Sequence, residues 1–227
     1  MTMNENITTL TTLQTSILTK GIIKQHPSLR DREIRIKGNA ESILKEPHTP
    51  RVLVIGSRDI NPKQAICTRK AIEALSGHPD KPIIISGLAF GTDTAAHRAA
   101  LDMGMKTYAV VATGLDTVYP VVNRKLAEDI LSNGGGIITP YPDKTAPIAF
   151  NFLERTQLMV MMSDAIVVIC SKSKGSSMLA ARYAEDFGIP VYAFPGEIDD
   201  PRNAGSNLLI KEGVAEIITD LKQLETI

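Results

Sequence analysis

Short runs rich in valine and isoleucine recur along this chain, with room for one helix between each pair. They cover Arg51–Gly56, Pro82–Ser86, Thr107–Val111, Gly136–Thr139, Ala165–Cys170 and Val191–Phe194. Each is apolar throughout rather than alternating, which suits a strand buried on both faces. Between them lie the helix-length stretches Lys63–Leu75, Thr94–Met103, Arg124–Ser132, Ala149–Met162 and Ser177–Phe187. The alternation predicts an α/β fold: a mainly parallel sheet with right-handed crossovers and helices on both faces. The end of the chain reads as a helix near Asn207–Glu212, a short strand Glu216–Ile218 and a helix begun by Asp220 as N-cap.

The pattern changes near Pro47-His48-Thr49-Pro50. Before it, Ile7, Leu10, Leu13, Ile17 and Leu18 recur at helical spacing and predict a modest amphipathic helix. The alternation Glu33-Ile34-Arg35-Ile36-Lys37 predicts an edge strand. Residues 1–50 therefore read as an N-terminal extension, and residues 51–227 as the main domain. Three roles are open for the extension: an extra strand on the sheet edge, a dimer arm or a partner site.

Bulk properties exclude several classes. No apolar run approaches the roughly 18 residues that span a bilayer. The polar, threonine-rich start from Met1 to Leu10 has no apolar signal core, so a cytoplasmic setting is expected. Cys67 and Cys170 read as two buried thiols, too few and too isolated for a metal site. Lys and Arg total 25, as do Asp and Glu, for a net charge of zero. That argues against an indiscriminate polyanion binder and leaves room for a local basic patch.

Three strand ends carry small or polar residues. The first run ends in Gly56-Ser57-Arg58, and the second in Ser86-Gly87-Leu88-Ala89-Phe90-Gly91 before a helix opening with Thr92 and Asp93. The fifth is followed by Ser171-Lys172-Ser173-Lys174-Gly175-Ser176-Ser177. Taken singly, each is an ordinary αβ turn using Gly and Ser for geometry. Loops at the carboxyl ends of strands share one rim of an open α/β sheet, however, and ligands bind there. Free N–H groups at helix starts, several hydroxyls, Arg58, Lys172 and Lys174 together suit anionic oxygen. The rim thus predicts a phosphate-binding crevice. Phe150-Asn151-Phe152-Leu153-Glu154-Arg155 is the most aromatic stretch of an aromatic-poor chain. Rings beside arginine serve single-stranded nucleic acid; a core position for one or both phenylalanines is the competing reading.

Other motifs are missing. No G-x-G-x-x-G follows the first run, and no G-x-x-x-x-G-K-[ST] loop occurs. Ser57, Ser86 and Ser176 lack a G-x-S-x-G elbow. Asp93 and His97, four apart on one helical face, are open to an acid/base or ligand role. The plainer reading gives Asp93 to the helix start and His97 to local packing or hydrogen bonding. No catalytic residue, metal ligand or cofactor is assigned.

These motifs together resemble the DNA-processing protein A family (DprA, also called Smf). The likeness runs from about Arg51 to Ile218 in family order. It comprises Ile55-Gly56-Ser57-Arg58, Ser86-Gly87-Leu88-Ala89-x-Gly91-x-Asp93-x-x-Ala96-His97 and Gly114-Leu115-Asp116-x-x-Tyr119-Pro120. Phe152-x-x-Arg155, Gly175-Ser176, Pro195-Gly196 and Ala204-Gly205-x-Asn207-x-Leu209-Ile210 follow. The resemblance implies an extended Rossmann-like fold that binds single-stranded DNA in uptake and recombination. It also implies natural transformation as the setting, help in loading a RecA-type recombinase, a homodimer and no enzymatic activity. Carried over by motif, Gly56, Ser57, Arg58, Ser86, Gly87, Ala89 and Gly91 would hold phosphates. Phe152 and Arg155 would contact the strand, with Lys172, Lys174, Gly175 and Ser176 beside them.

The chain also departs from the family pattern. The segment Phe-Pro-x-Arg-Asn-Arg reads Phe152-Leu153-Glu154-Arg155-Thr156-Gln157, which replaces an arginine and sets Glu154 beside the expected path. Lys174 replaces the first serine of a Ser-Gly-Ser-Leu loop, and Thr139-Pro140 stands for a usual Ser-Glu. The terminal helical and winged-helix-like domains of larger members have no counterpart, so a short form is expected. A different class stays open on the same fold: a nucleotide-binding or nucleotide-cleaving enzyme resembling the phosphoribohydrolases, or a nucleotide sensor. Phe194-Pro195-Gly196-Glu197 begins like the phosphoribohydrolase motif and then lacks its second glycine and threonine.

Overall fold

The structure is a computed structural model that describes residues 6–45 and 49–227. Pro47 and His48 of the proposed linker lie outside them, as do the first residues of the polar N-terminus. From residue 51 the chain forms β3 (Arg51–Ile55), α4 (Pro62–Ser76), β4 (Ile83–Ser86), α5 (Thr92–Asp102) and β5 (Thr107–Val110). It continues through α6 (Arg124–Ser132), β6 (Gly136–Thr139), α7 (Ala149–Met161), β7 (Ala165–Val168) and α8 (Ser176–Asp186). β8 (Val191–Ala193), α9 (Ala204–Lys211) and β9 (Glu216–Ile217) close it, followed by a 3-10 turn capped by Asp220. The predicted strands and helices of residues 51–227 form, with the helix expected after Asp220 taking the tighter 3-10 geometry.

Upstream, β1 (Ile7–Thr9), α1 (Thr12–Leu18), α2 (Pro27–Arg30), β2 (Arg35–Gly38) and α3 (Ala40–Lys45) join the same body. The sheet has nine strands in the order β1-β2-β6-β5-β4-β3-β7-β8-β9. β3 to β9 are parallel, while β1 and β2 run antiparallel to their neighbours. Successive strands step outward from β3 through β4 and β5 to β6, and then the chain returns to place β7 on the other side of β3. The order therefore reverses between β3 and β7. A crevice at the carboxyl ends of strands opens at such a reversal.

The strands are buried on both faces, and their side chains alternate between two cores. Leu53, Ile55, Ile83, Ile85, Ile166 and Val168 pack with Leu158 and Met159 of α7 and Ala180 and Ala181 of α8. Val52, Val54, Ile84 and Val167 face Ala71 and Ile72 of α4 and Ala96 and Ala100 of α5. Burying a side chain of this size stabilises by about 1.5–3 kcal/mol, which is why an uninterrupted apolar run predicts this placement.

Three expectations change. The helix expected from Ile7 onward begins only at Thr12, and Ile7 pairs instead with Lys37 in the sheet. Thr11 and Gln14 form a capping box that starts the helix there, a Thr-x-x-Gln signal present in the sequence. Leu13 and Ile17, expected on an apolar face, are exposed. The alternation at residues 33–37 does form a strand, but β1 covers it, so β2 lies one place in from the edge. Cys170 is buried and Cys67 only half-buried; burial raises both thiols, Cys67 to about 11.

Candidate functional site

The neighbouring positions of β4, β3 and β7 bring their three carboxyl-terminal loops side by side. The loops are also tied together. The backbone N–H of Thr92 donates to the Ser57 carbonyl at 3.1 Å, and its hydroxyl to the same oxygen at 3.3 Å. Gly91, at φ +71°, lies against the Ser57 and Arg58 carbonyls; a Cβ there would come within 2.4 and 2.5 Å of them. Only glycine fits that approach. Ser177 Oγ donates to Ser171 Oγ at 2.7 Å, closing the loop before α8.

This framework sorts the candidate residues by depth. Arg58, Lys172, Lys174 and Ser176 are exposed on the rim, with Gly56, Ala89, Gly91, Phe152 and Gly175 half-buried among them. Lys172 reaches Asp59 at 3.7 Å. α8 starts at Ser176 with no side chain capping its first N–H groups, so those donors and the helix dipole are available to an anion. Ser57 is nearly buried, and its hydroxyl accepts the Asp59 N–H at 3.2 Å. Ser86 is fully buried and donates to the Val54 carbonyl at 2.7 Å. Its hydroxyl therefore holds the turn from inside instead of facing outward.

Arg155 is the largest departure from expectation. It is 4 % exposed and lies beneath the rim rather than on it. Its guanidinium fills the space over Gly87, where a Cβ would sit 1.3 Å from Nη1, and Asp93 stands 3.9 Å away. Gly87 thus leaves room for a buried cation. Burial pushes the Arg155 pKa down and the Asp93 pKa up, each opposed by the charge of the other. A small pocket of about 20 Å³ is lined by Gly56, Arg58, Ala89, Asp93, Arg155 and Ser176. That is about the space of one water, too small to enclose a phosphate group.

Phe152 lies between the two levels. Arg58 Cζ is 5.0 Å from its ring centroid and Arg155 Cζ 5.7 Å, while the Tyr119 ring meets it edge-on at 5.9 Å. Glu154, expected beside the path, turns inward instead. Its Oε2 accepts from Arg32 Nη2 and from the Tyr141 hydroxyl, each at 2.8 Å, and it is 2 % exposed. Alternate residues of a helix face different ways, so Glu154 cannot share the outlook of Phe152. The Tyr141 hydroxyl is pushed well above its ordinary range by burial and this carboxylate.

Asp93 and His97 follow the plainer reading. Asp93 accepts from the Ala89 N–H at 3.2 Å. Thr107 Oγ1 donates to the Ile84 carbonyl at 3.0 Å, so at 2.7 Å it accepts from His97 Nδ1–H. His97 is fully buried, and burial, with Arg155 nearby, lowers its pKa to about 3. It stays neutral and faces no rim. Among the described residues, no three metal-capable side chains cluster.

Residues outside the expected set position the site. Asn123 Nδ2 donates to the Leu88 carbonyl at 2.9 Å and to Thr94 Oγ1 at 2.8 Å, holding the β4–α5 turn from the far side. The Tyr119-Pro120 motif, ending three residues earlier, was its only sequence signal. Arg32 had none, because its partner lies 122 residues away.

Comparison with known proteins agrees with this architecture. The model of DNA recombination-mediator protein A matches residues 32–226. DNA processing protein DprA of Streptococcus pneumoniae is 37 % identical over 81 % of this chain and 62 % of its own length. The X-ray structure of that organism's DprA superposes with a TM-score of 0.76 at 34 % identity, covering 85 % of this chain and 64 % of that one. DNA processing protein A from Helicobacter pylori, solved for its single-stranded DNA binding mode, gives a TM-score of 0.81 at 25 % identity, covering 98 % and 95 %. The chain spans under two thirds of the pneumococcal relative's length. With this fold, this rim and these motifs, the chain belongs to the DNA recombination-mediator protein A family.

Proposed function

We propose that this chain binds single-stranded DNA along the rim formed by the carboxyl ends of β3, β4 and β7. The observation that carries the reading is Arg58: an exposed guanidinium at the reversal of the sheet order, held over Phe152 and flanked by Lys172, Lys174 and the uncapped start of α8. Phosphates lie against Arg58, the two lysines and the N–H groups around Gly175 and Ser176. Gly56, Ser57, Ala89 and Gly91 let the strand approach the backbone closely. Ser86, Gly87 and Arg155 act from below by shaping the turn, with the Arg155 charge balanced by Asp93. The single-strand binding mode of the H. pylori relative supports this choice of ligand.

With zero net charge, attraction is confined to the rim, so affinity is salt-dependent and largely indifferent to sequence. We read the role as binding rather than catalysis, a reading supported by Asp93 and His97, the acid/base pair weighed from the sequence, being buried and engaged. Family membership further supports a homodimer, a RecA-type recombinase as partner and a cytoplasmic place in DNA uptake and recombination. Among the described residues, no helix is long and apolar enough to cross a membrane.

The test is titration of a labelled single-stranded oligonucleotide at low and moderate salt, with wild type and Arg58→Ala. Binding that weakens with salt, and a variant whose log–log salt slope is shallower by about 0.7, are expected. Unchanged affinity in the variant would move the ligand off this rim. No binding at low salt would refute the reading and turn attention to small nucleotides.

A further inference from the structure

We infer that the bases of a bound strand stack on Phe90 and Tyr119, and that Phe152 is a spacer that aims Arg58. The inference rests on the single-strand reading above and says which rings do which work. Phe152 is already engaged: two guanidinium groups lie over its ring, and Tyr119 meets it edge-on. A ring so surrounded offers little face to a base. It does fix the arginine above it, since a guanidinium stacked on an aromatic ring loses much of its freedom to swing.

Phe90 and Tyr119 are placed differently. They are 50 % and 43 % exposed, in a chain with only five phenylalanines and five tyrosines. Exposed aromatic surface beside cations marks a binding face more than an accident of packing. Both segments are fixed at the same rim. Phe90 precedes Gly91, whose backbone lies on the Ser57 and Arg58 carbonyls. Tyr119 leads through Pro120 into the short 3-10 turn Val121–Asn123. The Asn123 amide then bonds the Leu88 carbonyl, two residues before Phe90, and the Thr94 hydroxyl in the first turn of α5. One asparagine therefore sets the Tyr119 segment against the Phe90 turn, with Arg58 on the near side to take the phosphate. Rings that hold bases beside a cation that holds the backbone are what a sequence-tolerant single-strand site needs.

Two strands of equal length separate base stacking from phosphate binding: an oligothymidylate and a fully abasic oligodeoxynucleotide. The chain has no tryptophan, so Phe90→Trp supplies a lone indole whose fluorescence reports stacking directly. Quenching by the oligothymidylate and not by the abasic strand is expected. Phe90→Ala should weaken oligothymidylate binding about tenfold, the scale of one lost base stack, and leave abasic binding unchanged, while Tyr119→Leu should weaken oligothymidylate binding more than abasic binding. Phe152→Leu should weaken both strands alike, through Arg58. If wild type binds both strands equally, or the indole does not respond to bound oligothymidylate, the stacking assignment is overturned while phosphate binding at the rim stands. If neither strand binds at low salt, both readings fall together.

Discussion

The β4–α5 turn and the first turns of α7 meet beneath Arg58, but they are held there in different ways. The turn is held mostly by backbone. Thr92 N–H bonds the Ser57 carbonyl, Thr94 N–H bonds the Ala89 carbonyl, and Gly91 lies on the Ser57 and Arg58 carbonyl oxygens. The helix is held by side chains that come from far along the chain: Arg32 and Tyr141 on Glu154, Asp93 on Arg155, Tyr119 on Phe152. Where the backbone makes the contacts, glycine and small residues are required and a motif is visible. Where side chains make them, the requirement is spread over distant positions that look ordinary.

The sharpest way to break this comparison is Arg155→Ala. It leaves Asp93 as a buried carboxylate without its cation and should cost about 3–5 kcal/mol in urea unfolding. Asp93→Asn added to it should recover part of the loss. A cost near 1 kcal/mol, the worth of an exposed pair, would mean that side chains do not hold this region. Gly91→Ala tests the backbone side: a positive φ and two carbonyl overlaps predict a loss of about 3 kcal/mol. Full stability with oligonucleotide affinity retained would remove the close approach from the account.

Smaller effects sharpen it. Arg32→Ala strips one partner from the buried Glu154 carboxylate and should cost about 2 kcal/mol, with Arg32→Lys recovering some of it. An unchanged melting curve would disconnect the N-terminal segment from α7. Per pH unit, the smallest effect is the one from His97. His97 has a folded pKa of about 3 against 6.5 for the free side chain. Between these values the unfolded chain binds a proton that the folded chain refuses. Stability should fall as pH drops through this window, by at most about 1.4 kcal/mol per pH unit from this group. Urea midpoints from pH 7.5 downward should show a shallower acid slope in His97→Gln; equal slopes would mean the imidazole is not held neutral.

The same contrast explains what was legible in advance. The strands from residue 51 onward were, because apolar β-branched runs such as Ile83-Ile84-Ile85 have few other places to go. The β4–α5 turn was too, through its glycines. The start of the N-terminal helix was misplaced because Ile7 and Leu10 fit a helical period, yet pairing of Ile7 with Lys37 won. Its Thr11-x-x-Gln14 cap was there to be read. Arg155 was expected on the surface because the motif names the residue and not its depth. Glu154 was expected beside the strand path because its partners Arg32 and Tyr141 carry no local signal.

By itself, the sequence determined the alternation of strands and helices, the parallel sheet and the three small-residue loops that share its rim. Each follows from interactions within a few residues: apolar periodicity, helix capping and the conformational freedom of glycine. Only the tertiary structure decided which charges face solvent and which lie beneath, that Arg155 fills the gap above Gly87, and that Glu154 turns toward Arg32. Those outcomes depend on side chains brought together from positions as much as 122 residues apart. Burial makes each such pairing costly to leave incomplete, and only the folded chain settles which partner is near enough to complete it.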